Sequence, residues 1–379
     1  MRQAFRISLV GVGLLASLRS APALACGGGG VTSKVGVTMN AQRIFMSVRA
    51  AGTTDVVAQI TVPQTTADYG VLIPVPDEPT LDSEPVSAAD LDALDRATAP
   101  VISRSALDSG GSGSGCGCIG AGSAGDDDAV APPNRNVTVS SEVTIGPVVA
   151  VALTGESGDA VRAWLTDNGF SLPESDAPTF DRYVGKGKYF IAIRRTENAL
   201  TNGPSSIGVH YTLPGDHRML SLGFTRIGAA AKLSLTLFLA APKTVAPSEP
   251  FKALTLYDLD AATLQRDDYA LAVETAVAKR DSKAFVLESS TPLARIEPST
   301  AALGLARFID TGAVITRATT LLSRDQISED VVFTAPFNGS VPSQRFVSRD
   351  AAHVRYAGMG SLALLLMAGA LRRRSRSRQ

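Results

Sequence analysis

Gln42-Arg43-Ile44-Phe45-Met46-Ser47-Val48-Arg49-Ala50 sets the reading of the chain. Ile44, Met46 and Val48 point one way, Arg43, Ser47 and Arg49 the other, and Phe45 breaks the alternation. A period of two marks a strand, because successive side chains on a pleated backbone leave opposite faces. Asp55 to Val62 repeats the habit, with Val57, Gln59 and Thr61 set against Ile60 and Val62. Tyr69 to Val75 is a near-continuous apolar run ended by Pro74 and Pro76. Together the three predict an antiparallel meander.

Ser87 to Thr98 follows as a short helix, with Ser87 at the N-cap and Asp90 in the first turn. Val137 to Ile145 and Val148 to Leu153 read as strands. Ser157 to Asn168 is the clearest helix. Ser157 caps it, Val161, Trp164 and Leu165 form its apolar face, and Gly169 suits the left-handed residue after the last turn. Thr179 to Val184 adds a helical turn. Tyr189 to Ile193, Ser206 to Tyr211, Leu220 to Thr225, Lys232 to Leu239, Phe251 to Leu256, Val314 to Leu322 and Val331 to Phe333 are expected as strands. Asp267 to Lys279 and Thr300 to Ile309 are expected as helices. Grouped strands with a few interleaved helices predict an α+β fold built on β-rich antiparallel sheets.

Leu107 to Asn134 is Gly, Ser, Ala and Asp with almost nothing to bury, so it reads as a flexible loop or linker. It separates a β-rich part, 26–106, from an α+β part, 135–340, with a further linker at 341–355.

The ends are of another kind. Arg2 and Arg6, the apolar Ile7 to Leu18 and the small-x-small Ala23-Leu24-Ala25 form a secretory signal over 1–25, cut between Ala25 and Cys26. At the other end, Tyr356 to Leu371 carries no charge. Arg372, Arg373, Arg374, Arg376 and Arg378 then fill the tail 372–379. As a helix the uncharged run is about 24 Å long. That length crosses a bilayer only with snorkelling ends or a thinned membrane, and the trailing arginines favour the cytoplasm. The tail resembles bacterial sorting tags made of a motif, a hydrophobic helix and an arginine cluster. These features predict an exported protein of the periplasm, outer envelope or cell surface, held at the membrane through its C-terminal segment.

Basic and acidic residues balance at 36 each, but eight of the basic ones lie in the two ends. The body from Cys26 to Arg355 therefore carries about −8. A negative body argues against nucleic acid, whose phosphates need a Lys/Arg footprint. It also argues against docking on anionic lipid by charge. Envelope proteins are the partners that remain.

Three cysteines are too few for a disulfide scaffold. Cys116-Gly117-Cys118 can form a redox-active or structural disulfide, can pair through one thiol with Cys26, or can ligate a soft metal. A structural zinc site wants four ligands, whereas Cys26 is the only other thiol and His210, His217 and His353 lie far off in sequence. Cys26, directly after the cleavage site, is also open to lipidation. Asp126-Asp127-Asp128 lacks the alternating spacing of a calcium loop. Gly111-Ser112-Gly113-Ser114-Gly115 lacks the strand and helix that a nucleophile elbow needs. His210 and His217 bracket the turn Pro214 to Asp216 and are expected at the surface, and Trp164 is expected in the core. No cofactor or metal site is assigned, and catalytic residues are unknown.

Several of these stretches recur together in one family. Cys26-Gly27-Gly28 is followed by Gln42-Arg43-Ile44-Phe45 and by Tyr69-Gly70-Val71-Leu72-Ile73-Pro74-Val75-Pro76. Then come Val143-Thr144-Ile145-Gly146-Pro147, Ala163-Trp164-Leu165-Thr166-Asp167-Asn168-Gly169-Phe170, Thr316-Arg317 and Asp330-Val331-Val332-Phe333. This order resembles the exported bacterial family of domain of unknown function 2330, over Cys26 to about Phe333. The resemblance implies export and a shared fold, and it supplies no activity. Two departures stand out. Relatives often carry a second cysteine soon after the first, where this chain has glycine or Val31, and the loop with Cys116 and Cys118 is unusually long. The expectation is a non-enzymatic envelope or surface protein, with an extracytoplasmic enzyme or thiol-redox protein using Cys116 and Cys118 as the alternative.

Overall fold

The computed structural model describes residues 30–33, 39–62, 69–104, 136–146, 148–172, 174–184, 188–195, 205–296 and 304–348. Two sheets dominate. The larger runs in the order β14 (Lys252–Thr255), β15 (Ala284–Pro292), β16 (Val314–Ser323), β12 (Ala229–Ala241), β2 (Met39–Val48), β3 (Thr53–Val62), β10 (Ser205–Pro214) and β5 (Thr80–Leu81). Its neighbours are antiparallel except β14 with β15 and β12 with β2. The smaller sheet is antiparallel throughout, in the order β1 (Gly30–Ser33), β4 (Tyr69–Val75), β9 (Tyr189–Arg195), β8 (Val148–Gly155) and β7 (Val137–Ile145). Both sheets take strands from either side of 107–134.

The expected meander holds only for its first hairpin. β2 and β3 pair antiparallel, with Ile44 opposite Ala58. β4 leaves them for the smaller sheet, because it has an apolar surface on both faces to bury. Its Val71, Ile73 and Val75 join Ile44, Met46 and Val56 in the core between the sheets. Its Leu72 faces the other way, into a second core with Trp164, Phe180 and Phe190. The alternation in β2 also hides a second buried face. Phe45, Val57 and Phe238 are covered by Leu91, Leu94, Leu305 and Phe308 in a third core. The order is therefore helix layer, small sheet, large sheet, helix layer.

The helices begin where their caps lie. α1 (Ala88–Thr98) starts at Ser87, whose side chain accepts from the Ala89 N–H. α2 (Gly158–Asp167) starts at Ser157, which accepts from the Ala160 N–H, and the chain leaves through Gly169 at φ +84°. α3 (Ala177–Val184) packs beside it. α4 (Ala261–Gln265) is capped by Asp260. α5 (Tyr269–Ala278) starts later than expected, because Asp267 takes φ +63° and Asp268 caps the Leu271 N–H.

Two expectations fail on described residues. Leu220 to Thr225 is not a strand. Only β11 (Met219–Leu220) is extended, and the Ser221 carbonyl then accepts from the Phe224 N–H to form a turn. The apolar residues there are buried by ring packing, with Phe224 edge-on to Tyr183 at 5.0 Å. Within Thr300 to Ile309 the described part is a 3-10 turn, Gly304–Phe308, which buries Leu305 and Phe308. Three short elements complete the frame: β17 (Val331–Thr334) lies between β11 and β13 (Ala246–Pro247), and β6 (Val101–Arg104) runs parallel to β18 (Gln344–Val347).

Candidate functional site

Cys26, Cys116 and Cys118, the Ala25–Cys26 cleavage point, Asp126 to Asp128 and the Gly111 to Gly115 run all lie outside the described residues. Among the described residues, the densest polar arrangement surrounds His210, which lies opposite Val57 on β3 and is 5% exposed. Its Nε2 is 3.2 Å from Asp55 Oδ1, and its Nδ1 is 3.1 Å from Asp82 Oδ2. The imidazole stacks on Phe308 with 3.9 Å between centroids. Thr212 donates to Asp55 at 2.8 Å, and Arg49 reaches both Asp55 and Asp310, at 3.1 and 2.7 Å. Arg307 lies over Phe308 and pairs with Glu84 at 2.8 Å. Five segments that are distant in sequence meet in this cluster.

Ionised carboxylates only accept, so both ring nitrogens must donate if both bonds are to be made. A general base needs a ring nitrogen free to reach its substrate. Here each nitrogen already faces a carboxylate. The arrangement ties β3, β10, Asp82 and the Gly304–Phe308 turn together, and its geometry suits holding rather than proton transfer.

Burial works to raise the Asp55 carboxyl. The His210 and Thr212 hydrogen bonds, with the charges of His210 and Arg49, nevertheless hold it below its ordinary value. Asp82 is also held low: burial opposes this, and the Glu84 N–H and His210 outweigh it. For Asp310 the Ala50 N–H is the leading cause of a low value, followed by Arg49. A carboxyl with a depressed folded pKa contributes stability above its unfolded pKa and loses it as pH falls through the folded one. The urea midpoint should therefore fall as the pH drops below about 4. Asp55→Asn should flatten that acid slope; an unchanged slope would remove Asp55 from its cause.

Both histidines expected at the surface are buried. His217 is 8% exposed, donates its N–H to Thr54 Oγ1 at 2.9 Å and places Nε2 3.1 Å from Asp77. The fold needs its polar turn pinned to β3, and the ring supplies part of that contact. The sequence carried a signal for the His210 cluster in two charge-bearing residues set inside apolar strands, Asp55 before Val56-Val57-Ala58 and His210 between Val209 and Tyr211.

A second cluster lies on the outer face of the large sheet. Arg317 pairs with the buried Glu288 and with Asp95 of α1 at 2.5 Å, and Tyr269 donates to Glu288 at 2.6 Å. Burial pushes against the charge on Arg317, but Glu288 and Asp95 raise its pKa. Burial, then Glu288, raises the Tyr269 hydroxyl far above its ordinary value. Trp164 is 2% exposed, as a core anchor should be. The crevice beside it, lined by Val151, Trp164, Asn168, Phe170 and Arg194, has room for about one water molecule. Among the described residues, no group of three or more His, Cys, Asp or Glu is arranged to hold a metal ion.

The crystal structure of baculovirus P35 is similar over 57% of this chain and 72% of that one, at 10% identity and a TM-score of 0.25, which is too slight to carry an argument. No curated protein matches the chain. Residues 21–334 match the family model described as an uncharacterized protein conserved in bacteria. With that match spanning both sheets and all five helices, the chain belongs to the bacterial family of domain of unknown function 2330.

Proposed function

We propose that this chain is an exported cell-envelope or surface protein with a structural or binding role, held at the membrane by residues 356–371. The observation that carries the reading is the pairing of two end segments around one folded body. The first is Arg2, Arg6, Ile7 to Leu18 and Ala23-Leu24-Ala25; the second is Tyr356 to Leu371 with its five trailing arginines. The clusters around His210 and Arg317 support a non-catalytic role, since their charged groups are engaged with one another.

Fractionation of the full chain beside a chain ending at Arg355 tests the anchor. The mature full chain should begin at Cys26 by mass and sediment with membranes, and the shorter chain should be released as soluble protein. A shorter chain that stays with membranes until Cys26→Ser frees it would transfer the anchor to a lipid on Cys26. A full chain that retains Met1 to Ala25 would overturn export.

A further inference from the structure

Three of the five large hydrophobic side chains exposed among the described residues gather at one place: Val101 (49%), Tyr257 (65%) and Phe346 (65%). Val101 and Phe346 share the outward face of the parallel β6–β18 ribbon. Val101 is in register with Gln344, and Phe346 with Ser103 two steps on. The opposite face is anchored, with Val347 buried in the main core and Arg345 donating to the carbonyls of Leu256 and Leu259. The Arg345 guanidinium also lies 5.6 Å from the Tyr257 ring, which fixes Tyr257 beside the ribbon. An ordinary surface scatters its apolar residues singly. Here two aromatics and a valine stand at the same end.

That end is also where the chain departs for its tail. Nine residue steps separate Val347 from Tyr356, the start of the uncharged run. Fully stretched they span about 30 Å, and as a coil about 17 Å. If the tail is inserted, this face cannot be far from the headgroups.

Charge points to the lipid type. Nearby cations and carboxylates are committed within the protein. Arg104 pairs with Asp267, Asp258 accepts from the Thr255 N–H at 2.7 Å, and Asp260 accepts from the Thr263 N–H at 2.9 Å. With no spare basic footprint among these groups, contact would come from aromatic and apolar surface at the interface and would be insensitive to salt.

We infer that Val101, Tyr257 and Phe346 form a lipid-facing surface that rests on the zwitterionic headgroup layer, an inference that depends on the tail anchor proposed above. It orients the sandwich on the membrane by one end.

The test uses the full mature chain in phosphatidylcholine vesicles with brominated acyl chains. Phe346→Trp and Tyr257→Trp place reporters in the surface, against the Trp164 background of the unaltered chain. Val139→Trp on β7, 39% exposed, is the control. Both ribbon reporters should be quenched by brominated lipid at least about twofold more than the control, as interfacial aromatics are. If the protein sediments with the vesicles but these reporters are quenched only by aqueous iodide, the surface inference fails and the anchor stands. Protection from both quenchers would indicate a second copy or another protein on this face and would overturn the lipid assignment. Protein left in the supernatant would overturn the anchor and this inference together.

Discussion

Trp164→Ala should lower the stability of the folded chain by about 3–5 kcal/mol, read from urea unfolding. The indole is 2% exposed and belongs to the core that α2 and α3 form on the small sheet, with Val161, Leu165, Phe180 and Phe190. Those rings and branched chains belong to elements pinned elsewhere. α2 is fixed by the Ser157 cap and by Gly169, and Phe190 by pairing on both sides of β9. The lining therefore has little freedom to collapse into the space an alanine leaves, which puts the cost at the high end. Trp164→Phe should cost less, because it keeps an aromatic of smaller volume in the same place. An unchanged midpoint for the alanine variant would mean that the indole is not packed.

α2 was legible in the sequence because every local signal agreed there: a serine cap, an apolar face at helical spacing and a glycine exit. β2 and β3 were legible as a hairpin for the same reason. What could not be read was which layer covers the second face. Phe45 looked like a break in an alternating strand, and it is the residue that packs under Leu91 and Leu94. β15 went unread because Glu288, Ser289 and Ser290 interrupt its apolar run, and these are residues whose partners lie far away in sequence. The same separation hid the His210 cluster: Asp55, Asp82, His210 and Asp310 span most of the chain, and only sheet pairing brings them together. Local periodicity reports local structure, and charge clusters of this kind are a product of topology.

Glu288→Ala should be as damaging as the loss of Trp164, about 3–5 kcal/mol, although it deletes less apolar surface. Its carboxylate is 1% exposed and faces the Arg317 guanidinium, which is itself only 11% exposed. Removing the carboxylate leaves Arg317 with Asp95 alone, at the more open side of the cluster, and strands the Tyr269 hydroxyl without its acceptor. The cost thus comes from an uncompensated buried charge and an unsatisfied donor rather than from lost contact area. A second variant separates these causes. Glu288→Leu with Arg317→Met and Tyr269→Phe removes charge, countercharge and hydroxyl together. It leaves apolar groups beneath Phe238, where the guanidinium lay 5.5 Å from the ring. Asp95 is 36% exposed and regains water when Arg317 goes. The triple variant should therefore be more stable than Glu288→Ala, despite carrying three substitutions. If it is instead less stable by the sum of three separate losses, the pair is a net source of stability. The cluster would then hold α1 to the sheet by attraction, rather than serve as a charge arrangement tolerated because it is complete.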